Sequence, residues 1–389
     1  MGNRALRHSD ADPQCRHGRV RALRASCLEL VRSGVTTAVD LSSNAANTAR
    51  AAKEAGLRVY PGQYVRSSNW VTDGYSISYE PVGDAEEARL LDEAISSIET
   101  HAASPDGLIR GYLAPAQVDT CSPHLLRRMS DEAERLDVPM QIHAAQSVAE
   151  FREMLRRTGK TPIEYLHELG LLSPRLIIGH CIFVSGHSWL VQTFGKDLDL
   201  LADSGATVAH CPTVFARHGQ VLETWPGYRR RGVKVALGLD TSPRSMLLEM
   251  RLAANLAHVL DRSGNSVTAK DAFNAATLLG AAALGRDDIG RLAEGCKADF
   301  TVFRTDTLSM APLRDAIRNI VYSALPTDVH SVVIGGVAVL ADGAPIYYNE
   351  LDVVRDVQRA ADEVWGGLGR YHHSGHDVDR ISPPSLPSW

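Results

Sequence analysis

One unit repeats through most of this chain: a short apolar run, a polar turn, then an amphipathic helix. The strand candidates are VTTAVDL (35–41), RVYPGQYV (58–65), LIRGYLA (108–114), VPMQIH (138–143), RLIIGH (175–180), ATVAH (206–210) and VKVALGLD (233–240). Helical patterns lie between them. Over 122–136, Ser122 suits an N-cap, Pro123 suits the first helical position, and Leu125, Leu126, Met129, Ala133 and Leu136 share one face. An earlier helix runs from Val20, with Leu23, Cys27, Leu30 and Val31 on one side and Gly34 at its stop. Strands that are apolar throughout, alternating with such helices, predict a parallel sheet covered by helices.

Two architectures fit this pattern, an open doubly wound sheet and a (β/α)8 barrel. No GxGxxG follows any of the strands, which argues against a dinucleotide-binding open sheet. Polar residues stand instead at the C-terminal ends of four strands: His143, His180, His210 and Asp240. Barrel enzymes place their chemistry at that rim. The expectation is an α/β fold of the (β/α)8 TIM-barrel type. Only seven strand-helix pairs fall between residues 20 and 290, one fewer than a closed barrel has. The barrel is therefore expected to be incomplete.

The texture changes elsewhere. Residues 1–18 are polar and aperiodic and are expected to be a disordered remnant, ahead of a barrel over 19–290. GRLAEGCKADFTVF (290–303) and HSVVIGGVAVLADG (330–343) alternate around glycines, which predicts a small β satellite over 291–345. A C-terminal helix near 350–366 and a flexible tail are expected within 346–389.

Composition narrows the function classes. The 389 residues carry a net charge of -5, which leaves no basic footprint for nucleic acid. No stretch approaches the roughly 20 apolar residues of a membrane span. The six cysteines form no CxxC pair and are too sparse for a disulfide framework, so a reducing, cytoplasmic setting is expected. The N-terminal segment lacks the apolar core of a secretory signal.

Imidazole nitrogens and a carboxylate oxygen are zinc-type ligands, and a bound divalent ion brings the pKa of its water to about 7. Four such groups at successive strand ends point to a shared site. The segments LVRSGVTTAVDL, YLAPAQVDTCSPHLLRRM, VPMQIHAAQS, LIIGHCIFVS, ATVAHCPT, VKVALGLDTSP, GRLAEGCKADFTVF and VVIGGVAVL together resemble the amidohydrolase superfamily. The likeness is to its cytosine deaminase-like and triazine hydrolase-like branch, over about residues 20–345.

The resemblance implies roles position by position. His143 matches the fifth-strand metal ligand. Asp240 matches the eighth-strand aspartate that touches the metal and accepts a proton from its water. His180 matches the sixth-strand histidine that binds water or substrate, and it is a further candidate ligand. His210, within HCP, looks like a group shaping the substrate pocket, with a hydrogen-bonded structural histidine as the alternative. The implied cofactor is Zn2+, or another divalent ion such as Fe2+; the implied substrate is a small molecule, and the implied assembly is a homodimer.

Departures matter as much. The first-strand HxH pair of the family has no counterpart in the chain, which implies a missing N-terminal strand and a weakly held metal. Relatives often carry HxxE at the fifth strand, where the glutamate passes protons to the leaving amine; here that position is Gln146, and an amide cannot carry the proton. The family's fourth-strand substrate-orienting histidine is Ala116 here, with Gln117 and Asp119 nearby. Gln117 and Gln146 thus join His210 as candidate substrate contacts. Asp119 is read as a turn residue before a surrogate acid or base.

Other residues carry plainer readings. Cys181 and Cys211 follow site histidines but point the other way along a strand, so they read as buried packing thiols, as does Cys121 beside its helix cap. The segment 216–219, with Trp225 and Tyr228, is a candidate pocket lining; HHSGH (372–376) reads as a polar tail before a metal site. Two functions follow. One is a metal-dependent hydrolase acting on a C–N, or C–Cl, bond of a small cyclic or N-heterocyclic substrate. The other is an inactive amidohydrolase-like binding protein, or a truncated form of an active enzyme.

Overall fold

A computed structural model describes residues 13–386, apart from 73–76, 103, 105, 192–194 and 373. Six of the seven expected runs form parallel strands; the run 108–114 is not a continuous strand, meeting its neighbours through parallel bridges at Ile109 and Leu113 and becoming a strand only at Ala114–Pro115. Strands β1 (Thr37–Ser42) and β2 (Arg58–Val65) pair in register, and an antiparallel hairpin follows, β3 (Ser68–Thr72) with β4 (Ile77–Pro81). The short β5 (Ala114–Pro115) pairs with β2, and β6 (Met140–Ala144), β7 (Leu176–His180), β8 (Thr207–His210) and β9 (Lys234–Leu237) form a further parallel sheet in that order. Parallel bridges from Leu113 to Met140 and from Gln117 to His143 join the two sheets. The result is one sequentially ordered parallel array, the (β/α) barrel pattern, with β1 and β9 as its outermost members.

The helices form as their sequences dictate. Ser122 accepts from the Leu125 N–H, Pro123 opens the helix Pro123–Arg135, and Leu125, Leu126, Met129 and Ala133 are buried against the strands. Two apolar layers result. The larger packs the strands' outer faces against the helices; a smaller one, Tyr60, Tyr112, Ala114, Ile177, Ala283 and Leu284, fills the space enclosed by the strands. Gly62 makes room for it, since a Cβ there would lie 2.4 Å from the Tyr112 ring. Val39 of β1 stands in register with Tyr60 yet remains 36% exposed, as befits an outer strand.

The satellite is a four-stranded antiparallel sheet: β10 (Phe300–Phe303), β11 (Val329–Ile334), β12 (Val337–Ala341) and β13 (Ala344–Pro345). A buried ion pair fastens it to the barrel. Arg58 donates to both Asp299 oxygens at 2.7 and 3.0 Å, and its remaining terminal nitrogen donates to the Gly107 carbonyl at 2.7 Å. Asp299 also accepts the Gly335 N–H at 2.6 Å. Beside it, Thr301 donates to the Gly34 carbonyl at 2.8 Å.

Three expectations need revision. The first helix begins at Pro13 (Pro13–Arg32), not near residue 20, so order extends into the segment read as a remnant; residues 1–12 lie outside the described residues. The C-terminal helix continues to Tyr371 and packs on that first helix. The tail beyond it folds into a further turn of helix, Val378–Ile381, capped by Asp377, so it is not simply a flexible end. Among the described residues, no helix is long and apolar enough to cross a membrane.

Candidate active site

The C-terminal ends of β6 to β9 bring the expected histidines and the aspartate to one rim. His143, near the end of β6, offers its Nδ1 to the Ala116 carbonyl at 2.6 Å. A carbonyl only accepts, so Nδ1 carries the hydrogen and Nε2 keeps its lone pair. Gln117 lies beside it across the β5–β6 junction. The His180 ring stacks on that of His143, with centroids 5.1 Å apart and planes 15° from parallel, and the edge of Phe215 closes its other side at 4.6 Å. Gly179 permits this approach. A Cβ there would lie 2.9 Å from the His143 ring, so any larger residue would displace the imidazole.

Backbone geometry aims the groups. His180 (φ 72°), Cys181 (φ 47°) and Asp240 (φ 60°) all occupy the left-handed region, as does Ala145 (φ 55°) after β6. Such conformations are uncommon outside glycine and persist where the surroundings enforce them. They turn each side chain away from the strand's alternation at the point where the chain leaves the sheet. His180 is 5% exposed and its Nδ1 has no partner.

The electrostatics favour neutral imidazoles. Burial holds His143 below the usual histidine range, opposed by its bond to Ala116 and by the charges of Asp240 and Asp119. His180 is held lower by burial, with His143 and His210 adding repulsion. Burial alone brings His210 down to about 4. Asp240 opens to solvent at the rim, yet the surrounding protein still pushes its carboxyl above the ordinary range, opposed by His143. The histidines have a consequence for stability. Unfolded histidine titrates near 6.5, so as pH falls from about 6.5 towards 4 the unfolded chain takes up protons that the folded one refuses. Stability should be full above that window and lost within it, by up to about 3 kcal/mol for His210. Thermal denaturation of wild type and His210→Asn across this range tests it: a loss of the same size in the variant would contradict the assignment.

Donor chemistry at this rim suits zinc or ferrous iron, but donor number does not. Among the described residues, no three His, Cys, Asp or Glu side chains are grouped so that they could hold an ion. His143, His180 and Asp240 thus share a rim without forming a metal cage.

The structure places the remaining candidates variously. His210 ends β8 with its ring 6.0 Å from that of Trp225, which is itself buried, while Tyr228 donates to the Cys181 carbonyl at 2.7 Å. Trp225 and Tyr228 therefore pack behind the rim and do not line an open pocket. Cys121, Cys181 and Cys211 are buried free thiols. Asp119 is buried, accepts from Tyr79 at 2.6 Å, and its backbone carbonyl accepts from Arg157 at 2.8 Å; a guanidinium also stacks on the Tyr79 ring at 3.8 Å. It is a clasp between the hairpin and the β5 loop. In the tail segment 372–376, His373 lies outside the described residues.

Two carboxylates were not anticipated. Glu150 is buried and accepts the N–H groups of Ala145 at 2.6 Å and Gln146 at 3.1 Å, shaping the turn that presents Gln146. The Ser147-x-x-Glu150 spacing of a capping box was the available signal. Glu249, in the helix Met246–Asp261, is fully enclosed and accepts the Thr213 N–H at 3.2 Å. No local sequence signal marks it.

Comparison with known proteins places this architecture. The Amidohydrolase family model matches residues 11–339, and the chain belongs to that family. It is 32% identical, over 87% of its length and 75% of the relative's, to a 5'-deoxyadenosine deaminase of Methanothermobacter thermautotrophicus. It is also 32% identical to a 5-methylthioadenosine/S-adenosylhomocysteine deaminase of Syntrophobacter fumaroxidans, over 86% of the chain and 73% of the relative. Among solved structures, an adenosine deaminase from Xanthomonas campestris with bound zinc superposes with a TM-score of 0.78 at 24% identity, covering 89% of this chain and 75% of that one. Atrazine chlorohydrolase TrzN from Arthrobacter aurescens, complexed with zinc, gives a TM-score of 0.77 at 22% identity over 88% and 76%. At those identities the two structures speak for the shared fold alone.

Proposed function

We propose that this chain is a hydrolase of small N-heterocyclic substrates, replacing an amino group or another leaving group on an electron-poor ring carbon by water. The carrying observation is the placement of His143, His180, His210 and Asp240 at the ends of four adjacent parallel strands, in a family whose named relatives deaminate adenine nucleosides. In this reading Asp240 takes the proton of the attacking water as the new C–O bond forms, and the C–N bond breaks with that proton returned to the leaving amine. Neutral His180 orients the substrate or the water, and His210 bounds the pocket. The amides of Gln117 and Gln146 pair with ring nitrogens and exocyclic groups, replacing the acid and the imidazole of related sites.

The reading includes a divalent cation with His143 and Asp240 among its ligands, but no step is derived through it, because the described donors do not complete a site. Weak retention is the expected outcome. Metal analysis of the gel-filtered chain should find well under one zinc or iron per molecule, and one firmly held ion per molecule would contradict the donor count. The reading also includes a homodimer in the cytoplasm, open to sedimentation analysis.

Hydrolysis assays with adenine nucleosides, aminopyrimidines, aminotriazines and cyclic ureas, with and without added zinc, test the function. Turnover of any class supports it. The incomplete donor set and Gln146 favour a second reading, a binding protein of the same fold. Silence across the panel with metal present, together with ligand binding by calorimetry, would establish that alternative.

A further inference from the structure

Among the described residues, β1 and β9 end the strand array and do not pair with each other. Two segments border that unpaired side. The first helix, Pro13–Arg32, leads through residues 33–36 into β1, and the loop 238–245 leads from β9 past Asp240 into the helix Met246–Asp261. They meet at Arg244, 211 positions from its partner Ser33.

Ser33 is 4% exposed, and its hydroxyl lies 2.9 Å from the Arg244 carbonyl and 2.9 Å from that of Leu30. A hydroxyl has one proton to give. The Leu30 carbonyl already accepts the N–H groups of Ser33 at 3.1 Å and Val35 at 3.0 Å, so the proton does most at the Arg244 carbonyl. From the same residue the guanidinium donates to Glu29 Oε2 on the first helix at 3.3 Å, and to the Ser242 hydroxyl within the loop. Its charge extends to β1: burial raises the Asp40 carboxyl, and Thr48 and Arg244 oppose the rise.

Main chain and side chain of Arg244 thus both tie the loop to the first helix. The Arg244–Glu29 pair is 32% and 39% exposed, and pairs of that kind add little to overall stability. Its effect is on position. The sheet end of the loop is held by the Gly238 N–H donating to the His210 carbonyl at 2.9 Å, and Asp240 lies between that bond and Arg244. Asp240 itself is exposed and sits at φ 60°, so anchors on either side set the path of the backbone that aims its carboxyl.

We infer that Ser33 and Arg244 are positioning residues: they fasten the Asp240 loop to the first helix across the unpaired side of the array and so hold the Asp240 carboxyl at the rim. The inference rests on the role proposed for Asp240, but the fastening is testable without turnover.

Hydrogen–deuterium exchange of the whole chain, read by mass spectrometry, tests it. Ser33→Ala and Arg244→Met should each speed exchange in the peptide spanning 240–245 by roughly 2- to 10-fold, the loss of one hydrogen bond, with β6 to β8 exchanging as in wild type. Arg244→Lys, which keeps the charge towards Glu29, should lie nearer wild type. Where a substrate is turned over, Ser33→Ala and Arg244→Met should lower kcat by roughly 10- to 100-fold with little change in KM, as expected for a misplaced Asp240, and Arg244→Lys should recover most of the loss. Unchanged exchange at 240–245 in both variants would overturn the inference; so would acceleration spread evenly over the chain, or wild-type kcat in both. If Ser33→Ala does not fold, Arg244→Met, altered at a partly exposed side chain, decides alone. If no substrate is turned over, the exchange result decides the fastening, and the chemistry proposed for Asp240 is what falls.

Discussion

Replacing Asp240 by asparagine is expected to lower kcat/KM by about 100- to 10,000-fold, the range for removing a positioned proton acceptor, while leaving the melting temperature near that of wild type. The backbone explains why asparagine is the informative choice. Asp240 sits at φ 60°, a conformation that asparagine tolerates as readily as aspartate and that alanine does not. The substitution therefore keeps the loop and removes the base. Burial in the surrounding protein has already raised this carboxyl above the ordinary range, opposed by His143, which strengthens it as a base. Steady-state kinetics on whichever heterocycle proves to be a substrate, with metal in excess, reads the effect. An Asp240→Asn chain that retains wild-type kcat/KM would remove Asp240 from the chemistry.

The largest stability effect should come from the joint between barrel and satellite. Asp299→Ala is expected to cost about 3–5 kcal/mol, the range for breaking a buried ion pair by removing one partner. Both side chains are shut off from water, Arg58 at 0% and Asp299 at 2% exposure. Truncation leaves the guanidinium enclosed without its carboxylate and frees the Gly335 N–H as well. A paired apolar replacement, Arg58→Met with Asp299→Leu, should be closer to wild type than either single change, because it removes the charges together. Urea denaturation of the three variants decides the matter: equal losses in single and double variants would mean that packing, not charge, sets the cost.

The inner barrel strands are legible in the sequence because burial on both faces makes them read as apolar runs, the fully buried β7 in RLIIGH being an example. The satellite is legible through its glycine-punctuated alternation. The β3–β4 hairpin is not, because it lies outside the sheet on a mixed polar and aromatic sequence. The rim residues could be named because strand ends are few and their polar occupants conspicuous. What escaped were groups whose surroundings come from distant segments. Glu249 sits on an amphipathic helix where a glutamate would ordinarily face solvent, and only the approach of the β8 turn encloses it. Gly179, likewise, reads as a generic small residue until the His143 ring is placed against it.

The Arg58–Asp299 pair also orders events in time. Its partners are separated by 241 positions along the chain, so β2 is synthesised long before the carboxylate that neutralises it. Until the satellite strands have left the ribosome, a guanidinium destined for full enclosure has no counter-charge, and β2 cannot settle into its final packing. Closure of this joint should therefore come late in folding, only after both β2 and the satellite strands have been made.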